Sequence, residues 1–153
     1  MRLSACCGLF MMASCGPSSA PADGGLDAGD QEVVAVVHDF LQALEAREGI
    51  RLAMALHSEA TLTRIGMDGD TLRTKLMTGD EWMASVTKEG PALIERLENI
   101  EVHRSDLLAD VWAYYDFHVG EELSHCGYDA FQLVKEKGQW RILGVTYTTE
   151  PCP

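Results

Sequence analysis

The chain has 153 residues, enough for one domain with an ordinary core. Its 46% hydrophobic and 24% charged content is that of a globular protein and excludes global disorder. With 24 acidic against 12 basic side chains and a net charge of -12, it has no basic face for phosphate, so no nucleic-acid partner is expected.

Residues 1–14 read as an export signal. Arg2 is a minimal positive region, and the apolar stretch 3–12 is too short to span a bilayer. It runs into Met12-Ala13-Ser14-Cys15, which resembles the cleavage box of bacterial lipoprotein precursors, with Met12 where that box usually has Leu. That resemblance implies an exported protein lipidated on Cys15 and held at the cell envelope by lipid alone. An ordinary signal peptide cut near Ala20 or Ala22 is the alternative, giving a secreted or periplasmic soluble protein. Residues 15–31, rich in Gly, Ala, Pro, Ser and Asp, read as a flexible tether, and the folded domain is expected over 32–153.

Val33, Val36, Val37, Phe40, Leu41 and Leu44 recur at helical spacing and predict an amphipathic helix over 32–47. Gly49 breaks it, and a short second helix is expected over 50–57. A strand over 60–65, the Asp68-Gly69 turn and a return strand over 71–77 form a hairpin. Asp80 and Glu81 open a helix that carries Trp82, Met83 and Val86, and Pro91 opens another short one. Ile100 and Val102 begin a strand, and residues 109–149 read as three consecutive antiparallel strands. Helices followed by long strands make an α+β domain, with the helices packed on one face of a curved antiparallel sheet.

This order is sharpened by two runs. One is Ser124-His125-Cys126-Gly127-Tyr128-Asp129-Ala130-Phe131-Gln132-Leu133-Val134-Lys135; the other is Gly138-Gln139-Trp140-Arg141-Ile142. Together they resemble the nuclear-transport-factor-2-like superfamily (SnoaL-like, polyketide-cyclase-like), in a bacterial lipoprotein-type branch that carries a cysteine close to its C-terminus, as Cys152 is here. The resemblance implies a cone-shaped fold with a pocket, and dimerisation through the sheet. It transfers no activity, because the superfamily hosts isomerases, dehydratases, cyclases, binding proteins and scaffolds. With Cys6, Cys7 and Cys15 set aside, Cys126 and Cys152 are an even pair, which suggests a disulfide in an exported protein. One buried and one frayed terminal thiol is the alternative.

A polar cluster runs through the last strands. If the first hairpin turns at Glu121-Glu122, His118 faces His125, Asp116 faces Gly127, Tyr114 faces Asp129 and Trp112 faces Phe131, all on one side. With the second turn at Lys137-Gly138, Asp129 faces Thr146. Several readings compete. Asp129 or Asp116 in a pocket walled by aromatic residues would serve as a general base, with Tyr114 or His125 donating to a developing oxyanion. His118, His125 and one Asp would suit zinc, though no other metal signature exists and neither metal nor other cofactor is expected. In the structural reading, His125 and Asp129 brace the strand end beside Cys126. The preferred reading is an exported module that binds a small, largely apolar molecule, with Trp112, Tyr114, Phe131 and Trp82 as its walls, or that serves as an envelope interaction module. An enzyme using one pocket carboxylate is the alternative. Both sheet faces are half apolar, so a second subunit is expected to cover the face the helices leave.

Overall fold

The computed structural model describes residues 25–153. The expected signal sequence, Cys15 and the first part of the expected tether lie outside the described residues. The domain starts earlier than the hydrophobic periodicity indicates. Helix α1 spans Ala28–Glu45 because Asp27 caps it: the Asp27 side chain accepts from the Asp30 N–H, and Asp30 returns the bond to the cap N–H. Arg104, at the end of the third strand, donates to both carboxylates at 2.6–2.7 Å and ties this first turn to the sheet.

Helix α1 buries Val33, Val37, Phe40, Leu41 and Leu44, the stripe that its spacing predicts. It ends in a turn at Ala46–Glu48 rather than at Gly49, which is already the first residue of α2 (Gly49–Ala55). Arg47 takes a positive φ of 57° there. Its guanidinium donates to the carbonyls of Val86, Lys88 and Pro91 at 2.6–2.9 Å, which pins the segment 87–92 against the helices. Pro91 therefore opens no helix, and a strand follows directly.

The strands are β1 (Leu56–Asp68), β2 (Thr71–Thr78), β3 (Leu93–Arg104), β4 (Leu108–Val119), β5 (Glu122–Glu136) and β6 (Gln139–Thr149). Helix α3 (Gly79–Val86) sits between β2 and β3, with Thr78 and Glu81 forming a second capping box. The six strands form one sheet in the order β2-β1-β6-β5-β4-β3. All neighbours are antiparallel except β1 and β6, which run parallel. The chain thus brings its last strand back into the middle of the sheet. The helices cover one face, where Leu52, Leu62, Val111, Phe131, Leu133 and Ile142 belong to one buried core. Each large apolar side chain so buried contributes roughly 1.5–3 kcal/mol.

Two β-bulges decide which residues share a face. The first hairpin turns at Gly120-Glu121, with Gly120 at φ 65°, one residue earlier than expected. That displacement moves the pairing by two residues and leaves every side chain on its face. Ser124 then enters as an extra residue, since His118 pairs with Leu123 but Phe117 pairs with His125. This single insertion exchanges the faces. Asp116 meets Cys126, Tyr114 meets Tyr128, Ala113 meets Asp129 and Val111 meets Phe131. On the second hairpin Leu143 is the extra residue, and Asp129 pairs with Tyr147 instead of Thr146.

Cys126 and Cys152 are joined by a disulfide across a sequence separation of 26, with Cα atoms 5.0 Å apart. The ladder continues one pair past β6, with Cys126 opposite Glu150, and the tail turns back at Pro151. Closing a loop of this length contributes roughly 3 kcal/mol on the chain-entropy account. Next to it, Gly127 permits close approach of β6. A Cβ at that position would run into the Thr148 carbonyl.

Candidate functional site

The concave face of the sheet, α1, α3 and the β1–β2 hairpin enclose a cavity of about 260 Å³. Its walls are apolar. Phe40 stacks on Trp82 with ring centroids 5.3 Å apart, and meets Phe131 edge-on at 6.2 Å. Leu44, Leu62, Met77 and Val145 complete this lining.

The polar groups converge from different strands. Asp129 on β5 and Glu95 on β3 both reach the cavity, flanking Tyr115 of the intervening β4. Asp129 is only 2% exposed. Taken as ionised, neither carboxylate can donate to the other, and Asp129 Oδ2 has no hydrogen-bond partner. A proton shared between the two carboxyls supplies the missing donor. Both groups are accordingly shifted upward. Burial pushes Glu95 to about 7, opposed by its bond to Asp129 and reinforced by the Asp116 charge. Burial and the neighbouring Glu95 hold Asp129 well above the usual carboxylate range. The pair therefore keeps a proton that isolated carboxyls would release, and can offer a donor and an acceptor side by side.

Three further side chains frame the pair. The Tyr115 hydroxyl donates to the Thr148 carbonyl at 2.6 Å, and burial pushes its phenol up. Burial also raises Tyr147. His125 stacks on Phe117 at 4.9 Å and lies within 3.0 Å of the Ser124 hydroxyl, while burial and then the Arg64 charge hold it neutral. A neutral imidazole and the protonated Tyr147 phenol suit hydrogen bonding to an uncharged ligand group, while the Tyr115 oxygen, its proton given to Thr148, can accept. Among the described residues, no group of three or more His, Cys, Asp or Glu side chains is arranged to hold a metal ion.

The corrected register divides the sequence-derived candidates. Asp129, His125, Phe131 and Trp82 all line the cavity. Trp112, Tyr114, Asp116 and His118 do not: the Ser124 bulge turns them to the convex face. There Trp112 stacks on Tyr128 at 5.4 Å, and His118 Nε2 sits 2.8 Å from the Asp116 carboxylate, with Arg96 beside both. The zinc arrangement fails for the same reason, because His118 pairs with Leu123 and His125 with Phe117. Gly90-Pro91 reads as a helix start and so masks Glu95 in the sequence. The alternation of Leu93, Glu95 and Leu97 against Ile94, Arg96 and Glu98 is the period-two signal that marks it as an inward carboxyl.

The family model described as "putative lumazine-binding" matches residues 28–148. No curated protein matches the chain. Among solved structures, a protein of unknown function with a cystatin-like fold from Nostoc punctiforme superposes with a TM-score of 0.64 at 16% identity, covering 82% of this chain and 95% of its own. An NTF2-like protein from Cytophaga hutchinsonii gives 0.64 at 14% identity, covering 80% and 98%. A "putative scytalone dehydratase" from Novosphingobium aromaticivorans gives 0.60 at 15%, covering 78% and 82%. At these identities the likeness is one of fold.

The carboxyl pair makes stability depend on pH. An unfolded chain releases the Glu95 proton above about 4.5, while the fold retains it to about 7. The contribution is therefore complete below that window and is lost as pH rises through it. Asp27, held low by its bond from Arg104, and Glu81, held low by the Thr78 N–H, act in the opposite sense at or below the lower edge. The melting temperature should fall between pH ~5 and ~8. Glu95→Gln and Asp129→Asn should flatten that slope and melt higher than wild type at the alkaline end. A Glu95→Gln variant that kept the full slope would show that the pair does not share its proton.

Proposed function

The chain belongs to the family described as "putative lumazine-binding", whose fold is the nuclear-transport-factor-2-like cone, and from that premise we propose that it binds one small, flat, largely apolar molecule in the Glu95–Asp129 cavity. The carrying observation is Asp129, a buried carboxyl aimed into an aromatic-walled space without a partner other than Glu95. Buried polar groups of this kind fix orientation where apolar walls supply affinity. At about 260 Å³ the cavity lies just below the ~300–1,000 Å³ of drug-sized sites, which sets the scale at one or two fused rings. A lumazine ring carries N–H and C=O groups side by side, the complement of a carboxyl pair that shares one proton.

Lumazine and a panel of bicyclic aromatic compounds should raise the melting temperature in a dose-dependent way. Phe131→Trp, which fills the cavity, should abolish that rise while the variant still unfolds cooperatively. If no compound stabilises the protein and calorimetry detects no heat, the binding reading is wrong. The elevated pair also favours a second reading, an isomerase- or cyclase-like enzyme with Glu95 or Asp129 as the base. It requires the bound compound to change on incubation, and quantitative recovery of unaltered ligand rejects it.

Two further proposals concern the protein's setting. The apolar stretch 3–12, running into Met12-Ala13-Ser14-Cys15, supports export with a lipid anchor. Wild type should then fractionate with membranes and carry acyl mass on Cys15; a Cys15→Ser variant with unchanged mass and fractionation would reject the anchor. The convex sheet face, with Trp112 46% and Tyr128 41% exposed, supports pairing of two copies through the sheet. Sedimentation should give a dimer that Trp112→Glu separates, and a wild-type monomer at high concentration would dismiss it.

A further inference from the structure

Two cations stand at the cavity mouth. Arg64 on β1 and Lys75 on β2 are direct cross-strand partners, both exposed, and both line the cavity. Like charges placed directly opposite destabilise a sheet. The arrangement is the more unexpected in a chain with twice as many acidic as basic residues, 24 against 12. Among the described residues, neither cation makes a salt bridge; Lys88 and Arg141 make none either, but only Arg64 and Lys75 face each other across a strand pair at the cavity. Glu81 lies within electrostatic reach of Lys75, but its carboxylate is already bound to the Thr78 N–H and hydroxyl at 2.9 and 3.1 Å.

Nor do these cations serve the buried carboxyls. The Arg64 charge is felt by His125 and Tyr147, its neighbour on β6, while burial and nearby carboxyls govern Glu95 and Asp129. The cavity is therefore polarised along its length. Its inner end holds the carboxyl pair and its rim two positive charges that make no salt bridge among the described residues, with Tyr147 of β6 between Arg64 and Asp129.

We propose that the ligand is an amphiphilic anion: an apolar ring with a neutral hydroxyl or carbonyl directed to Glu95 and Asp129, and an acid group, such as a carboxylate, held at the rim by Arg64 and Lys75. This rests on the binding reading above and adds the charge class and the orientation. The negative group belongs at the rim, where the two cations stand, and not beside the two buried carboxyls, which accept or share a proton but offer no positive charge. Arg supplies planar paired donors and Lys a mobile point charge, a combination that suits an oxyanion at an open entrance.

A matched pair of probes tests it, 2-naphthol and 6-hydroxy-2-naphthoate, which share ring and hydroxyl and differ in the carboxylate. Isothermal titration should show 6-hydroxy-2-naphthoate binding about tenfold more tightly than 2-naphthol, with the preference shrinking as salt is raised. In Arg64→Gln/Lys75→Gln the preference should vanish, with 6-hydroxy-2-naphthoate affinity falling to about that of 2-naphthol. Lys75→Glu should lose the preference yet melt higher than wild type when unliganded, because the facing like charges become an ion pair. That rise also certifies the variant's fold. Equal affinity of wild type for both probes, or a preference that persists in the double variant, overturns the anion assignment and leaves the binding reading standing. Failure of both probes to bind wild type overturns the two together.

Discussion

Between Phe117 and His118 the fourth and fifth strands fall out of step, because β5 carries Ser124 as one residue more than β4 over the same distance. Side chains alternate along a strand, so an odd insertion turns everything beyond it to the other side of the sheet. Asp129, His125 and Phe131 thereby join the concave face with Glu95 and Tyr115, while Trp112, Tyr114 and Asp116 pass to the convex one. The composition of the cavity and of the helix-free surface both follow from that local fault. The Leu143 bulge on β6 does the matching work on the other side of β5, aligning Tyr147 with Asp129.

What this alignment assembles is energetically unfavourable by itself. Two carboxyls are brought together in an apolar enclosure, and two cations are set face to face at its rim. The fold tolerates the first by keeping a proton between the acids and the second by leaving the cations in water. The remainder of the domain supplies the stability that these placements cost: a continuous core beneath the sheet, two capping boxes, the Arg104 and Arg47 clamps, and a disulfide. Local strain set against a well-packed scaffold is the usual circumstance of a working site.

Much of the architecture was legible in the residues. The α1 stripe has a period that only a helix satisfies, and the long alternating runs after residue 108 are strands with turn residues at their ends. The α+β cone with its helices on one face follows, as does the pairing of Cys126 with Cys152. The first turn of α1 was hidden by its Gly- and Ala-rich composition, since its stability comes from Asp27, Asp30 and the distant Arg104. The first half of β3 was masked by Pro91, which tertiary contacts with Arg47 hold in an extended segment. Bulges are harder still. Ser124 and Leu143 have no local chemistry that marks them as extra residues, and the parallel pairing of β1 with β6 joins segments some eighty residues apart. The site was thus half visible: its residue types were evident, but their partition between faces was not.

The covalent link also favours one register. Cys152 lies beyond the last strand, and its bond to Cys126 ties the tail that follows β6 back to β5. The Cα atoms lie 5.0 Å apart with β6 in its bulged alignment and Cys126 opposite Glu150. Asp129 follows Cys126 on the same strand, so the bond anchors β5 close to the buried acid. In the oxidised molecule, sliding of β6 along β5 is opposed by a covalent bond as well as by the ladder.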